Sequence, residues 1–337
     1  VIVATPDFCH VDHSIACMEK GLHVYCEKEM SNTIEGARKM VEAQKKTGKL
    51  LQIGHQRRSN PRYIHCYDKL VKEAGLLGRV TSINGQWNRS KESCQDLVAT
   101  AGTQIDEAIL NKYGFKNMQQ FLNWRWYKGL GGGPIVDLGS HQIDIYSWFL
   151  GANPKSIIAS GGIDYWKGHE WYDNVMAIYE YDTPKGPVRA FYQTGTTNSS
   201  NGYFECFMGD EGTLVISEAS SRGSVYREGW VPEEKWDKWV SKGYIEKTKG
   251  KVAAEKKDDA VLDLRETIPA AEYGIPVTFT DPYHMPHLKN FFNAIRGTEK
   301  LNCPAEVGYE TAVTVLKVND AVEKATRLEF KPEEFHV

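Results

Sequence analysis

The first part of the chain alternates short apolar runs with longer stretches of helical period. Residues 1–4 are a continuous apolar run of the kind that suits a strand buried on both faces. Thr5-Pro6-Asp7 makes a turn, and Asp7 is placed to cap a helix that begins near Phe8, runs to about Lys20 and stops at Gly21. Residues 22–26 form the next short strand. Ser31-Asn32-Thr33 opens a second helix, with Glu35 near enough to support the cap, and Thr47-Gly48 closes it before a third strand at 50–54. Strand, helix, strand, helix, strand with short connections predicts a right-handed parallel α/β layout.

Further along, residues 61–74 read as a helix and 79–88 as a strand with partial alternation. Residues 89–123 lack a clear period and predict a long insertion with short helices. A glycine-rich entry at 129–134 leads into a helix from Ile135 that carries Asp137, His141, Asp144 and Trp148 and ends at Gly151. The region that follows is rich in strands, at 156–161, 173–181, 188–194, 203–209 and 212–217, with Gly209-Asp210-Glu211-Gly212 as a hairpin turn. These predict a mostly antiparallel sheet of five or more strands. Residues 218–275 are charged and irregular, with Trp230, Trp236 and Trp239 for local packing, and helices are expected at 286–296 and 305–326. There is no internal repeat. The fold class expected is α/β: a partial parallel Rossmann-type domain at 1–58, then an α+β domain at 59–327 with an open, predominantly antiparallel sheet. The helices of 286–327 pack back on the first domain, and 328–337 is a tail.

Composition narrows the function. A chain of 337 residues can bury the cores of two domains, and 41% hydrophobic with 25% charged residues is ordinary for a globular protein. A formal net charge of -3 gives no reason to expect nucleic acid or an anionic membrane as partner. No apolar stretch is long enough to span a bilayer. The lysine-rich run at 247–257 is broken by Glu255 and reads as a solvated loop. Seven cysteines without tight paired spacing argue against a disulfide framework. Cys9, His13 and Cys17 share a helical face that a metal could use, but a buried helix of small residues explains them better, and no metal is expected. Cytoplasm is the compartment expected, with periplasm or secretion as the alternative. The 9 Trp and 17 Tyr suit either a polar-ligand surface or ordinary sheet packing.

Two distant stretches carry titratable chemistry: Glu27-Lys28 after the second strand, and Gly131-Gly132-Gly133 followed by Asp137 and His141. Oxidising a carbon that bears a hydroxyl needs a base for the proton and a cation for the negative charge that develops on oxygen, roles that imidazole and lysine fill. Asp137 and His141 are four apart, so one helix would place them on a common face. The glycines upstream let backbone approach a ligand closely. Lys28 lies beyond a parallel strand, where ligands bind in such sheets. Taken alone, Lys28 between Glu27 and Glu29 reads as a solvated charge cluster, Asp137 and His141 as an ordinary helix pair, and His10 as a residue that either faces a ligand or caps and packs.

Five stretches in order along the chain resemble the glucose-fructose oxidoreductase and inositol dehydrogenase family (Gfo/Idh/MocA-like) of NAD(P)-dependent sugar dehydrogenases. They are Ala4-Thr5-Pro6-Asp7 with His10; Gly21-Leu22-His23-Val24-Tyr25-Cys26-Glu27-Lys28; Gly54-His55-Gln56-Arg57-Arg58; residues 131–144; and His287-Leu288-Lys289-Asn290-Phe291-Phe292 leading to Arg296-Gly297. The resemblance implies a Rossmann domain joined to a substrate domain whose open sheet builds homodimers or homotetramers. It implies that His141 accepts the proton of a sugar or polyol hydroxyl while Lys28 and Asp137 hold that hydroxyl. Ala4, Thr5, Pro6, His10, Glu27 and Lys28 would line the cofactor, NAD or NADP. Arg57, Trp124, Arg125 and His169 would stand on the substrate side. Two departures qualify the match. Glu29 replaces the family's proline after the lysine. The family's glycine-rich turn and ribose-binding acid would precede Val1, so cofactor binding is expected to require a missing N-terminal region. The alternatives are an NAD-dependent glycosidase or epimerase working by transient oxidation, or, without that region, a non-catalytic carbohydrate-binding or structural protein.

Overall fold

A computed structural model describes residues 1–219, 221–248 and 271–337. The part of the lysine-rich run beyond residue 248 lies outside them. Strands β1 (Ile2–Val3), β2 (Val24–Cys26) and β3 (Leu51–Ile53) pair in parallel in that order, joined by α1 (Asp7–Glu19) and α2 (Ile34–Thr47). β2 and β3 are buried at every position, which is why they show apolar runs rather than alternation. Thr33 caps α2, its Oγ1 accepting from Gly36 N at 3.1 Å, and Gly48 closes the helix at φ +64°. The cap expected of Asp7 is absent. Pro6 holds the N-cap position without a side-chain bond, and Asp7, the first helical residue, is 6% exposed.

The helix expected at 61–74 is α3 (Pro61–His65) continued as a π-helix, Cys66–Glu73. After β4 (Val80–Asn88), the insertion contains α4 (Glu107–Lys112) and α5 (Met118–Leu122). Leu110 and Phe115 of the insertion form a small core with Leu130 that packs on Phe8 at the start of α1. The single helix expected from Ile135 is two, α6 (Gly133–Asp137) and α7 (Gly139–Leu150), separated at Leu138. A Cβ at Gly139 would lie 2.9 Å from the Tyr192 ring, so glycine lets α7 start hard against the sheet.

The sheet adds β5 (Pro154–Gly162), β6 (Asn174–Thr183), β7 (Gly186–Gly195), β8 (Tyr203–Gly209) and β9 (Gly212–Ile216). Within 218–275, read as irregular, the chain forms β10 (Gly223–Arg227), α8 (Glu233–Ser241), β11 (Glu246–Lys247) and β12 (Ala271–Gly274). These strands hide in the sequence because each is short and carries few buried side chains, Val225 in β10 and Tyr273 in β12. Trp236 and Trp239 are buried as expected of local packing, whereas Trp230 is exposed. With β13 (Leu328–Glu329) in the region read as a tail, the order is β11-β12-β10-β9-β8-β4-β7-β6-β5-β13, antiparallel except between β4 and β7. The protein is thus a parallel Rossmann-like unit followed by an α+β domain on a predominantly antiparallel sheet.

Along β6, buried Val175, Ala177, Tyr179 and Tyr181 alternate with the exposed Met176 and Ile178. The buried face carries α7 and α10 (Ala305–Lys324), with Tyr146 Oη donating to Phe191 O at 2.9 Å and Tyr179 Oη to Thr314 O at 3.2 Å. α10 and α9 (Met285–Ile295) also hold the parallel unit. Ile53 N donates to Cys303 O at 3.0 Å, Gln52 Nε2 to His287 O at 2.8 Å, and Arg38 Nη2 to Tyr309 Oη at 2.7 Å. Among the described residues, no helix is long and apolar enough to cross a membrane.

Candidate active site

Parallel strands deliver the residues that follow them to one edge of their sheet. β1 runs into Thr5 and Pro6, β2 into Glu27 and Lys28, and β3 into Gly54 and His55. Only glycine lets the last two meet: a Cβ on Gly54 would lie 2.6 Å from Glu27 Oε2 and 3.0 Å from Lys28 N. His10 ties the first two loops together, with Nδ1 2.7 Å from Glu29 O and Nε2 2.7 Å from Thr5 O. Burial pushes the His10 pKa down while the two carbonyls pull it back. The neutral ring favoured by burial donates to one carbonyl at a time. Ala4 is exposed, and Thr5 Oγ1 lies 3.1 Å from His13 Nδ1.

The second half of the site arrives from a point 109 residues away in sequence. Lys28 Nζ donates to the Asp137 carbonyl oxygen and, at 3.1 Å, to Asp137 Oδ1. Arg125 Nε reaches the same Oδ1 at 3.3 Å. Burial works to raise the Asp137 pKa, but the Lys28 and Arg125 charges outweigh it and hold the carboxyl below its usual range. His141 follows in the first turn of α7. Burial, then the charges of Lys28 and Arg57, push its pKa well below that of free imidazole, so the ring is neutral at physiological pH. Its Nδ1 is buried without a hydrogen-bond partner. Asp7 joins this group, although its sequence position signalled only a cap. Burial pushes its pKa up to about 7 against the opposing pull of Lys28.

The substrate-side candidates make the following contacts. Arg57 is fully enclosed. Its Nη1 donates to Glu205 Oε1 and its Nε to Glu218 Oε2 at 2.9 Å, while Tyr63 Oη donates to Glu205 Oε2 at 2.8 Å. His169 Nε2 lies 2.8 Å from Asp96 Oδ1, and its ring stacks with Trp126 and Trp166 at 5.3 and 5.7 Å. Arg125 is exposed and lies 4.4 Å over the Trp124 ring, at the rim beside Asp137. At two of the glycines expected to let backbone approach a ligand, the space that a side chain would need is filled by protein. A Cβ at Gly131 would be 2.8 Å from Arg125 Cα, and one at Gly133, whose φ is +76°, would be 2.6 Å from Trp171 Cβ. Among the described residues, no group of three or more His, Cys, Asp or Glu is arranged to hold a metal.

Glu29, at the family's proline position, is 1% exposed; its Oε1 accepts from Met30 N at 2.9 Å and its Oε2 has no partner. Burial pushes its pKa from 4.5 to about 8. Between those values the folded state keeps a proton that the unfolded chain releases, so stability present at low pH is lost as pH rises through this window. Glu29→Gln mimics the protonated acid. It is expected to flatten the dependence of Tm on pH between about pH 5 and pH 9 and to raise Tm at the alkaline end. Superimposable Tm profiles for the two proteins would overturn the assignment of a buried, protonated Glu29.

Three parallel strands with two helical crossovers, ahead of a predominantly antiparallel sheet, define a Rossmann-like unit followed by an α+β domain, with Lys28 of the first bonded to Asp137 of the second. Residues 107–328 match the family model described as oxidoreductase family, C-terminal alpha/beta domain, and residues 1–55 match that of the NAD-binding Rossmann fold. The chain belongs to the Gfo/Idh/MocA oxidoreductase family. The match over residues 1–55 corrects the expectation that cofactor binding requires a missing N-terminal region: the NAD-binding Rossmann domain is represented in this chain, by β1–β3 with α1 and α2. Among curated relatives, the chain is similar to scyllo-inositol 2-dehydrogenase (NADP(+)) IolW of Bacillus subtilis (strain 168), 26% identical over 239 residues, covering 71% of this chain and 57% of that protein. Its fold is similar to levoglucosan dehydrogenase in complex with NADH and levoglucosan, with TM-score 0.67 and 17% identity, covering 98% of this chain and 79% of that one. It is also similar to aldose-aldose oxidoreductase from Caulobacter crescentus complexed with glycerol, with TM-score 0.67 and 16% identity, covering 98% and 78%. The alignments span between 34% and 64% of the length of the first three curated relatives.

Proposed function

We propose that this protein is an NAD- or NADP-linked dehydrogenase that oxidises a hydroxyl of a sugar or polyol. The observation that carries the reading is His141, a neutral imidazole with an unpartnered buried nitrogen, set beside a lysine and carboxylate locked to each other. The names of relatives that act on inositol and levoglucosan support the substrate class. Thr5, Pro6, His10, Glu27 and Lys28, at the carboxyl edge of the parallel strands, are the residues that would hold the nicotinamide end. Their fit rests on that edge, where parallel α/β sheets bind their ligands. The cofactor, when bound, supplies the two-electron acceptor. Lys28 Nζ has three N–H donors and gives two of them to Asp137, which leaves one for the substrate oxygen. Asp137 thereby orients the ammonium, and the Lys28 and Arg125 charges keep the carboxylate ionised. The substrate O–H breaks toward a His141 ring nitrogen. The imidazolium so formed stands close enough to Lys28 to be disfavoured by it, which promotes loss of the proton to solvent. The test is absorbance of reduced nicotinamide when the purified protein meets NAD or NADP with scyllo-inositol, myo-inositol and levoglucosan. Reduction with at least one pair is expected; no reduction with any of them, in a protein shown to bind dinucleotide, would overturn the reading.

A further inference from the structure

Arg125 is the middle residue of a single helical turn, Trp124–Trp126. Its side chain is 47% exposed, yet its Nε stays 3.3 Å from Asp137 Oδ1. An exposed ion pair has to order a long side chain, so it holds best where the backbone beneath it is already fixed. Segments remote in sequence fix this turn. Asn123, just before it, accepts from Leu97 N at 2.8 Å and donates to Leu97 O at 3.0 Å. The carbonyl of Trp126 accepts from Glu170 N at 2.9 Å and from Trp171 N at 3.2 Å, in the loop between β5 and β6. His169 of the same loop stacks on the indoles of both Trp126 and Trp166, with ring centroids 5.3 and 5.7 Å away and planes 15° and 19° from parallel. Its Nε2 lies 2.8 Å from Asp96 Oδ1, in the insertion. Trp166 is anchored in turn, its Nε1 donating to Thr196 Oγ1 and its backbone N to Asp173 Oδ2, both at 2.9 Å. The His169 side chain is 4% exposed, which leaves it almost no surface for a ligand. Any apolar ring would serve to pack the loop. A ring that also meets a carboxylate from the insertion holds three segments in one register around Arg125.

We propose that His169 is a positioning residue: it clasps the Trp124–Trp126 turn so that Arg125 stays on Asp137, and through Asp137 it steadies the ammonium of Lys28. Its effect on turnover rests on the dehydrogenase reading; its effect on Asp137 does not.

The experiment is a double-mutant cycle between His169→Ala and Arg125→Ala in the full chain, read in two ways. The first needs no turnover. The Asp137 carboxyl is titrated by carbon NMR in protein isotope-labelled at the aspartate carboxyl carbons, with Asp137→Asn assigning the signal. The Arg125 charge helps to hold this carboxyl low. Its titration is expected to move to higher pH in Arg125→Ala, to move the same way in His169→Ala, and to move no further in the double variant. The second readout is kcat/KM, expected to fall about twofold to fivefold in each single variant, the worth of an exposed ion pair, and no further in the double variant. His169→Phe keeps a flat ring on the two indoles and is expected to recover part of both effects. Should His169→Ala lose the native circular dichroism spectrum, Asp96→Asn, which loosens the clasp from its other end, takes its place in the cycle with the same expectations. An Asp137 titration left where the parent has it, in either single variant, overturns the proposal. So does a further loss of kcat/KM in the double variant, which would place the action of His169 elsewhere than on Arg125. Failure of the dehydrogenase reading is separable: in a protein that forms no reduced nicotinamide, the Asp137 titration still decides the clasp.

Discussion

Alanine at His141 is expected to lower kcat by about 10²- to 10⁴-fold, the usual worth of a positioned general base. Dinucleotide affinity, measured by quenching of tryptophan fluorescence, is expected to change far less, because the cofactor-side candidates lie on the loops after β1 and β2 and in the first turn of α1 rather than on α7. The pH profile of the unsubstituted protein carries the same assignment. A base accepts a proton only when neutral, and burial together with Lys28 and Arg57 holds His141 neutral until well below the ordinary histidine range. Activity governed by this group is therefore expected to be flat through neutrality and to fall only in acid. Turnover by His141→Ala close to that of the parent protein would remove His141 from the mechanism. An acid limb centred on the ordinary imidazole pKa would show that the neighbouring cations do not act on it as the geometry requires.

Arg57→Ala is expected to be the most destabilising single change in the vicinity of the site, by roughly 3–5 kcal/mol in urea unfolding. The guanidinium is the counter-charge for two carboxylates that have almost no access to water, Glu205 at 0% and Glu218 at 5% exposure. Removing it leaves both enclosed without a cation and takes away the support of the Trp87 and Tyr203 rings. Lysine is a poor substitute, since the two carboxylates are bonded through different nitrogens of one planar fork. Adding Glu205→Gln to Arg57→Ala is expected to recover part of the loss, because the neutral amide is cheaper to leave enclosed. A change below about 1 kcal/mol for Arg57→Ala, the range of an exposed pair, would show that the network is solvated.

The two helical crossovers, the caps at Thr33 and Gly48 and the strands from β4 to β9 were legible because each is a local matter of period, propensity and turn chemistry. The candidates Lys28, Asp137 and His141 were legible as residue types suited to one reaction. Their convergence was not, since no spacing rule relates positions 109 residues apart. The strands and helix within 218–275 escaped notice because short edge elements bury too few side chains to stamp a pattern on a charged segment. His55 lay within a motif stretch, yet nothing local signalled that both of its ring nitrogens would be buried without partners. Trp87 could be read only as one strand aromatic among many.

Local chemistry along the chain thus determined the parallel βα units and the alternating sheet, and it supplied the candidate residues Lys28, Asp137 and His141. Tertiary structure alone decided which of them share a site. It turned Asp7 from a cap into a buried acid beside Lys28, bonded Arg57 to Glu205 and Glu218, and set Trp87, stacked on Tyr203, beside His141. The reason is that burial, charge pairing and stacking depend on which distant segments meet, and these contacts set protonation and orientation, whereas sequence spacing specifies only neighbours within a turn or a strand pair.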